Sequence, residues 1–396
     1  MLLIKNGRII DAYTDVVADI LIEKGVIKAI GKGILCENTI DAKGKIVMPA
    51  FIDTHAHFRD PGFTYKEDLL TGSKAALKGG YGTVNLMANT KPVVDSPSVY
   101  EDIVKRSKYI GLINIFQCFA VTKGLMGDEF IDFETLPESV KYLSDDGKGI
   151  FSNKIAYDLL KIIKDKDIGV MIHEEDKELS PIDYRIAEDI HTIRDVYLAG
   201  KTGAKVHFSH VSTIDSIKSV EEGKDKSYNI TMEVTPHHLY MHDSDYRVNP
   251  PIRTKADVEY IIHSIKNGYV DCIATDHAPH SFQNKEKGAP GMIGLETAFY
   301  ICYKVLVEEN NCDLKLLSKV MSLGGAKVLG LNKGRLLPGY DGDVVIVDLN
   351  QRIKIESFES KSQNSPFLGE EFTGSIDYTI VNGEVRYSKN DYRQIV

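Results

Sequence analysis

The sequence predicts an α/β protein: a (β/α)8 TIM-like barrel carrying a small β-sandwich built from both chain ends. Three observations predict it. Both ends of the 396-residue chain are short alternating runs broken by turn pairs. The middle alternates apolar runs of strand length with helical periods. Eight such runs occur, the number this kind of closed barrel needs. The expected division is 1–47 with 336–396 for the composite β unit, and 48–335 for the barrel.

In chain order, LLIKNGRIID, ADILIEKGVIKAIG and TIDAKGKIVMP read as strands around Asn6-Gly7, Lys24-Gly25 and Lys43-Gly44. The barrel runs follow: VMPAFIDTH, TVNLMAN, INIFQCFAVT, VKYLSD, IGVMIH, KVHFSH, ITMEVTP and DCIATDH. They do not alternate, as befits parallel strands covered on both faces. Helices lie between them. Lys66–Lys78 places Leu69, Leu70, Ser73, Ala76 and Leu77 on one face and stops at Gly79-Gly80. Ser152 is placed to cap a helix carrying Ile155, Leu159, Ile162 and Ile163. Ile182–Leu198 and Ala256–Ile265 repeat the period. At the end, DGDVVIVDLN and YTIVNGEVRYS alternate again around Asp341-Gly342 and Asn382-Gly383.

Composition excludes several classes. Apolar content of 43% and charged content of 27% are ordinary globular values, which argues against disorder or a fibre. No run approaches the ~20 apolar residues of a membrane span. The start carries Lys5, Arg8, Asp11 and Asp15 where a signal peptide has an apolar core. A net charge of -9 is opposite to the footprint of a nucleic-acid binder. Five cysteines (36, 118, 272, 302 and 312) form no CxxC pair, which points to reduced thiols in a cytoplasmic protein.

Several barrel runs end in a metal-binding residue type. The first ends in His55-Ala56-His57, and residues i and i+2 of a strand face one side. The fourth ends in Asp145-Asp146, the fifth in His173, the sixth in His210 and the eighth in Asp276. Barrel sites of this type sit at the C-terminal ends of the strands, so the set converges on one mouth. Each feature alone is weak. The ordered ensemble points to bound metal. His173-Glu174 is not a zincin signature, because position 177 is Lys.

The segments PAFIDTHAHFRDPGFTYKED, GGYGTVNLMANTKPVVD, LSDDG, HFSHVST, EVTPHHL, VNPPIR, TDHAPH and GAPGMIGLET together resemble the amidohydrolase superfamily and, within it, the type I dihydroorotases. The resemblance covers essentially the whole chain. It implies a binuclear centre: His55 and His57 on one ion, His173 and His210 on the other, and Asp146 bridging. It implies that Asp276 ligates the first ion and acts as general base and acid. Arg59, Asn89 and Asn249 match positions that bind a substrate carboxylate, His280 a further substrate contact, and Pro290 and Gly291 a loop against the substrate ring. The implied reaction is the reversible cyclisation of N-carbamoyl-L-aspartate to L-dihydroorotate and water in pyrimidine (UMP) synthesis. Allantoinase or hydantoinase chemistry is the alternative. Two divalent ions are implied, and imidazole with carboxylate donors suits Zn2+ best. The implied partners are the small-molecule substrate, a second copy in a homodimer, and aspartate transcarbamoylase, on which some relatives dock; nucleic acid and membrane are not among them.

The pattern departs from the family at two points: MPNT reads MANT, with Ala88, and HCED reads HEED, with Glu174 as a non-ligand. His237 and His238 are expected in supporting roles, His207 and Cys272 in the core, and His191, His242 and His263 at the surface. Ser281–Met292 reads as a mobile flap over the mouth.

Overall fold

Residues 1–390 are described by a computed structural model. The last six residues of the expected 336–396 segment lie outside the described residues.

The chain begins with β1 (Leu2–Ile10), β2 (Asp15–Glu23), β3 (Val26–Gly31), β4 (Thr39–Asp41) and β5 (Ile46–Pro49). The barrel strands are β6 (Phe51–Ala56), β7 (Tyr81–Leu86), β8 (Asn114–Gln117), β9 (Tyr142–Leu143), β10 (Gly169–Ile172), β11 (Lys205–Phe208), β12 (Ile230–Val234) and β13 (Cys272–Ile273). The chain ends with β14 (Val344–Lys354), β15 (Glu371–Val381) and β16 (Glu384–Ser388). The two ends share one sheet, in the order β16-β15-β14-β5-β1-β2-β3 with β4 on β1. The expected sandwich is thus hydrogen-bonded as one continuous path. Strand β1 splits its far edge, with Leu3–Lys5 on β4 and Arg8–Ile9 on β5. Ile4, Ile20, Val47, Ile346 and Ile380 pack there into a core of their own. Asp11 ties the ends together: it is fully buried and accepts from Arg335 Nε and Leu336 N.

Strands β6–β8 and β9–β13 pair in parallel. Two bridges close the ring, Phe119 to Leu143 and Ala56 to His277. The buried Asp53 carboxylate reinforces the second seam by accepting from Thr275 N and its hydroxyl. Ile52, Cys118, Tyr142, Met171 and Cys272 fill the interior below the mouth.

The run Val47–His55, expected as one strand, is two. Its first half pairs antiparallel with β14, and only Phe51 onward enters the barrel. Pro49 has no N–H to continue the first ladder. Helix α1 (Leu69–Lys78) starts three residues later than expected, because Asp68 caps it and accepts from Thr71 N at 2.8 Å. It stops at Gly79, where an added Cβ would lie 2.1 Å from the Leu295 carbonyl. After α2 (Pro97–Ile110), Ser152 caps α3 (Asn153–Asp165) as expected. Then come α4 (Tyr184–Thr202), α5 (Ile214–Asp225), α6 (Pro236–Tyr240) and α7 (Lys255–Lys266). Expected to be exposed, His191 is buried on α4, with Nε2 3.3 Å from Asp176 Oδ2. His242 and His263 are exposed, as expected.

Candidate metal centre

Six of the expected residues stand at strand ends around one point. His55 and His57 leave β6 on the same side. Their Nε2 atoms lie 3.3 and 3.5 Å from the two oxygens of Asp146. From the opposite side, His173 Nδ1 and His210 Nε2 lie 3.5 and 3.7 Å from Asp146 Oδ1 and 2.9 Å from each other. Asp276 Oδ1 lies 3.0 Å from His57 Nε2 and 3.7 Å from His55 Nε2. The result is a binuclear metal-binding site: two groups of ligand atoms, His55–His57–Asp146 and Asp146–His173–His210, sharing Asp146.

The donor set fits two cations. His55 Nδ1 donates to Glu233 Oε1 at 2.9 Å, which leaves the lone pair on Nε2. That Nε2 is buried, has no hydrogen-bond partner, and faces the carboxylates of Asp146 and Asp276. A metal ion is the partner such an atom lacks. The electrostatics agree. Burial opposes charge on Asp146, but the charge of His55 and contacts from His173 and His210 hold its carboxyl well below the usual range. Burial likewise opposes charge on His173, which the Asp146 and Glu175 carboxylates nonetheless raise to about 10. Positive charge is wanted here, and divalent cations supply it in place of protons.

Sharp backbone turns aim these groups. Arg59, His210 and Asp276 have φ of 59°, 36° and 45°, in the left-handed region that side chains disfavour. Each such residue costs on the order of 1–3 kcal/mol, and such strain gathers at functional sites.

A cleft of about 200 Å³ opens above the cluster. Arg59, Asn89, Asn249, His280, Pro290 and Gly291 all line it together with His57, Asp146, His173, His210 and Asp276. Arg59 Nε donates to the Pro279 carbonyl at 3.3 Å, and Nη2 lies 3.5 Å from His280 Nε2. Burial first, then the charges of Arg59 and Lys66, push the His280 imidazole down to about 3, so it is neutral. Asn89 is turned to the metal-binding cluster: Oδ1 accepts from His57 Nδ1 at 2.9 Å, and Nδ2 donates to Asp146 Oδ2 at 3.1 Å. Asn249 Nδ2 donates to Glu175 Oε2 at 3.1 Å, and its Oδ1 accepts from the Tyr184 hydroxyl. At Gly291 φ is 125°, and a Cβ would meet Ala278 Cβ at 2.7 Å. Only glycine lets the backbone pass the rim there.

The Amidohydrolase family model matches residues 46–386. This chain belongs to the amidohydrolase family. Among curated relatives, it is 51% identical over 397 residues to the dihydroorotase of Clostridium botulinum (strain Eklund 17B / Type B), covering 98% of this chain and all of that one. It is 38% identical to the dihydroorotase of Thermoanaerobacter sp. (strain X514), covering 98% of each. Among solved structures, the L-hydantoinase (dihydropyrimidinase) of Arthrobacter aurescens superposes with a TM-score of 0.87 at 22% identity, over 97% of this chain and 95% of that one. That likeness concerns the fold.

Several residues of the amidohydrolase take places that the sequence left ambiguous. Asp145 points away from the cluster and accepts from Val121 N at 2.7 Å and Thr122 N at 3.2 Å. Glu174 is buried with both carboxylate oxygens unpartnered. Burial, then the charge of Asp195, raises its carboxyl well above the ordinary range, so it is the neutral acid. His238 contacts Thr235 and the Pro250 carbonyl; His237 is buried without a partner at Nε2. His207 and Cys272 are fully buried. The expected flap, Ser281–Met292, contains a short helix α8 (Phe282–Glu286), and Lys285 Nζ donates to the carbonyls of Arg247, Ala289 and Gly291.

Two carboxylates were missed. Glu175 accepts from His173 Nε2 at 2.9 Å. Glu233 accepts from His55 Nδ1 and His207 Nε2, both at 2.9 Å, and from the Thr54 hydroxyl. Both had a signal. Glu175 stands two residues past a ligand, and Glu233 is a charge inside the buried strand β12.

Proposed function

We propose that this amidohydrolase is a dihydroorotase, closing N-carbamoyl-L-aspartate to L-dihydroorotate with release of water, reversibly, in pyrimidine (UMP) synthesis. The observation that carries the reading is the cleft: one cavity presents a guanidinium, Arg59, opposite a two-cation ligand set. That combination suits a cyclic amide bearing a carboxylate. The 51% identity to a named dihydroorotase over the full chain supports the same substrate. A plain hydantoin has no carboxylate for Arg59 to bind, which sets the hydantoinase alternative second.

Two zinc ions in this site would polarise the amide carbonyl and bring the pKa of a water close to neutrality. The chain's own residues do the rest. His55, His57 and Asp276 would hold one ion and His173 and His210 the other, with Asp146 available to both ligand groups. Asp276 takes the proton of the attacking water and delivers it to the departing ring nitrogen; in ring closure the same transfers run backwards. Asp276 Oδ1 lies 3.0 Å from His57 Nε2, which puts the carboxylate beside the ligands of the first ion. Burial raises the Asp276 carboxyl, but the His57 contact and the charges of His55 and His210 hold it ionised, as a base must be. Arg59 grips the substrate carboxylate, assisted by Asn249 and by Asn89 once substrate draws its amide from Asp146. His280 contacts the same end, and the Pro290-Gly291 backbone covers the ring.

No helix among the described residues is long and apolar enough to cross a membrane. A cytoplasmic setting, and docking on aspartate transcarbamoylase, belong to the same reading. The deciding experiment is a substrate panel on the zinc-loaded protein: dihydroorotate, N-carbamoyl-L-aspartate, hydantoin and allantoin. The first two should exceed the others by a factor on the order of 10² or more in kcat/KM. Comparable turnover of hydantoin would overturn the assignment.

A further inference from the structure

The barrel carries a second cavity, of about 410 Å³, at the end opposite the metal centre. It opens where strands start. Lys205 begins β11, Asn229 precedes β12, and Val270 and Asp271 precede β13. His210 and Asp276 follow the far ends of β11 and β13. Three ammonium groups line the cavity: Lys205, Lys319 and Lys327. Lys205 is half-buried, with Nζ 4.4 Å from the centre of the Tyr142 ring and donating to the Val328 carbonyl at 3.3 Å. Lys319 Nζ stands 3.6 Å from where a Cβ on Gly268, another lining residue, would lie. Lys141 is near enough that its charge, after burial, lowers the Lys205 ammonium, against the pull of Asp167. Among the described residues, no carboxylate forms an ion pair with Lys205, Lys319 or Lys327. The one acid in the lining, Asp271, is already paired with Lys224 and accepts from Met232 N at 2.8 Å. In a chain of net charge -9, this is a local excess of positive charge.

We propose that this cavity is a second ligand site, which takes the dianionic phosphate group of a small molecule. Near neutral pH a phosphate carries up to two negative charges and three strong acceptor oxygens, and lysine binds it as a point charge. A single carboxylate would leave most of the positive charge unmatched. Asn229 adds an amide to the same lining, while Val270, Leu323 and Val328 form an apolar wall for the carbon body of a phosphate ester. The volume lies within the ~300–1,000 Å³ usual for small-molecule sites.

The cavity is separate from the substrate cleft but joined to it by hydrogen bonds. Thr231, in the lining, has Oγ1 2.7 Å from His207 Nδ1. His207 Nε2 lies 2.9 Å from Glu233 Oε2, and Glu233 Oε1 lies 2.9 Å from His55 Nδ1. A ligand in the cavity reaches the metal centre only through that chain, and so does not compete with substrate.

The test is pulse acetylation of lysines in the zinc-loaded full chain, read by peptide mass spectrometry, with orthophosphate, ribose 5-phosphate or ribose added. At about ten times its Kd, either anion should slow labelling of Lys205, Lys319 and Lys327 about tenfold. Lys154 on α3, with a side chain 83% exposed, should be unaffected. Saturating N-carbamoyl-L-aspartate should leave the protection intact. Lys319→Met/Lys327→Met removes two of the three charges and should weaken protection of Lys205 on the order of 100-fold in Kd, with unchanged circular dichroism. Equal affinity for the two anions would identify the free ion as the ligand, and tighter binding of ribose 5-phosphate an ester; both bear out a phosphate site. No protection by either anion, equal protection of Lys154, or equal protection by ribose alone would overturn the proposal. So would protection lost to N-carbamoyl-L-aspartate, or a double variant that binds as tightly as wild type.

Discussion

Replacing Arg59 by Met isolates the contact on which substrate choice rests. The residue sits at φ 59°, so glycine would relax the backbone and confuse the result, whereas Met keeps the same Cβ and much of the volume. Among the described residues, Arg59 hydrogen-bonds only to the Pro279 carbonyl and the neutral His280. Neither is a carboxylate, so the guanidinium retains donors for a substrate. A charge-assisted hydrogen bond contributes about 1.5–3 kcal/mol. That corresponds to roughly 10–150-fold in kcat/KM for dihydroorotate, and more if the substrate carboxylate is left unpaired in the cleft. Dihydrouracil has the cyclic amide without the carboxylate, so its slow hydrolysis should change little. The assay is the ratio of the two efficiencies before and after substitution, with bound metal measured on the same samples. A parallel fall for both substrates would refute the reasoning, because Arg59 would then support the metal site or the fold. Arg59→Lys should fall between, since an ammonium cannot form the planar two-point contact.

Three other perturbations test separate parts of the structure. Asp276→Asn keeps the side-chain shape but cannot carry a proton; turnover in both directions should drop by ~10²–10⁴-fold, and more than a tenth of wild-type activity at full metal content would place the base elsewhere. Glu233→Gln removes the buried charge behind His55 and His207, and chelator competition should show metal bound ~10–100-fold more weakly; an unchanged affinity would make Glu233 a packing residue only. Asp11→Asn loosens the tie between the chain ends and should cost about 1–3 kcal/mol near neutral pH. Burial acts to raise the Asp11 carboxyl, but Arg335 and backbone donors leave it below its ordinary 3.8. Its stabilisation is therefore full above about pH 4 and lost as pH falls through the lower folded value. Urea midpoints of wild type and variant should converge in acid, and a constant gap down to pH 2 would contradict that sign.

The metal-binding cluster was legible because its signal is local. His55 and His57 share a face through the two-residue period of a strand, and that period needs no tertiary information. The same pleat separates Asp145 from Asp146: neighbours point to opposite sides, and Asp145 is held by Val121 and Thr122. Which of the two faces the mouth depends on where β9 stops, and the strand is only two residues long. The supporting carboxylates were harder to read. Glu233 acts on His55 from another strand, and no spacing rule links residues 178 positions apart. Glu175 follows His173 by only two residues, but spacing alone does not tell that its carboxylate turns back onto the imidazole. The first barrel run hid its break for a related reason. Val47–Ile52 is apolar throughout, because both sides of the break are buried: Val47 in the core of the end sheet, Met48 and Phe51 in the large core, and Ile52 in the barrel interior.

Helix α4 shows what periodicity does and does not establish. Apolar residues at helical spacing identify the helix, and the expected Ile182–Leu198 overlaps the observed Tyr184–Thr202. The inference that such a stripe faces the core adds a second premise, that the core is where apolar surface is most stable. That premise fails when the inner face is made of small residues and partnered charges. Ala187, Val196 and Ala199 let the helix approach the barrel, while Glu188 and Asp195 are satisfied by Ser212, Arg253 and Arg194. The barrel-facing side then needs no Ile or Tyr. Ile186, Ile190, Ile193 and Tyr197 accordingly stand on the solvent side of the helix. Sequence reports the pattern and leaves its direction open, because direction is set by what the opposite face can satisfy.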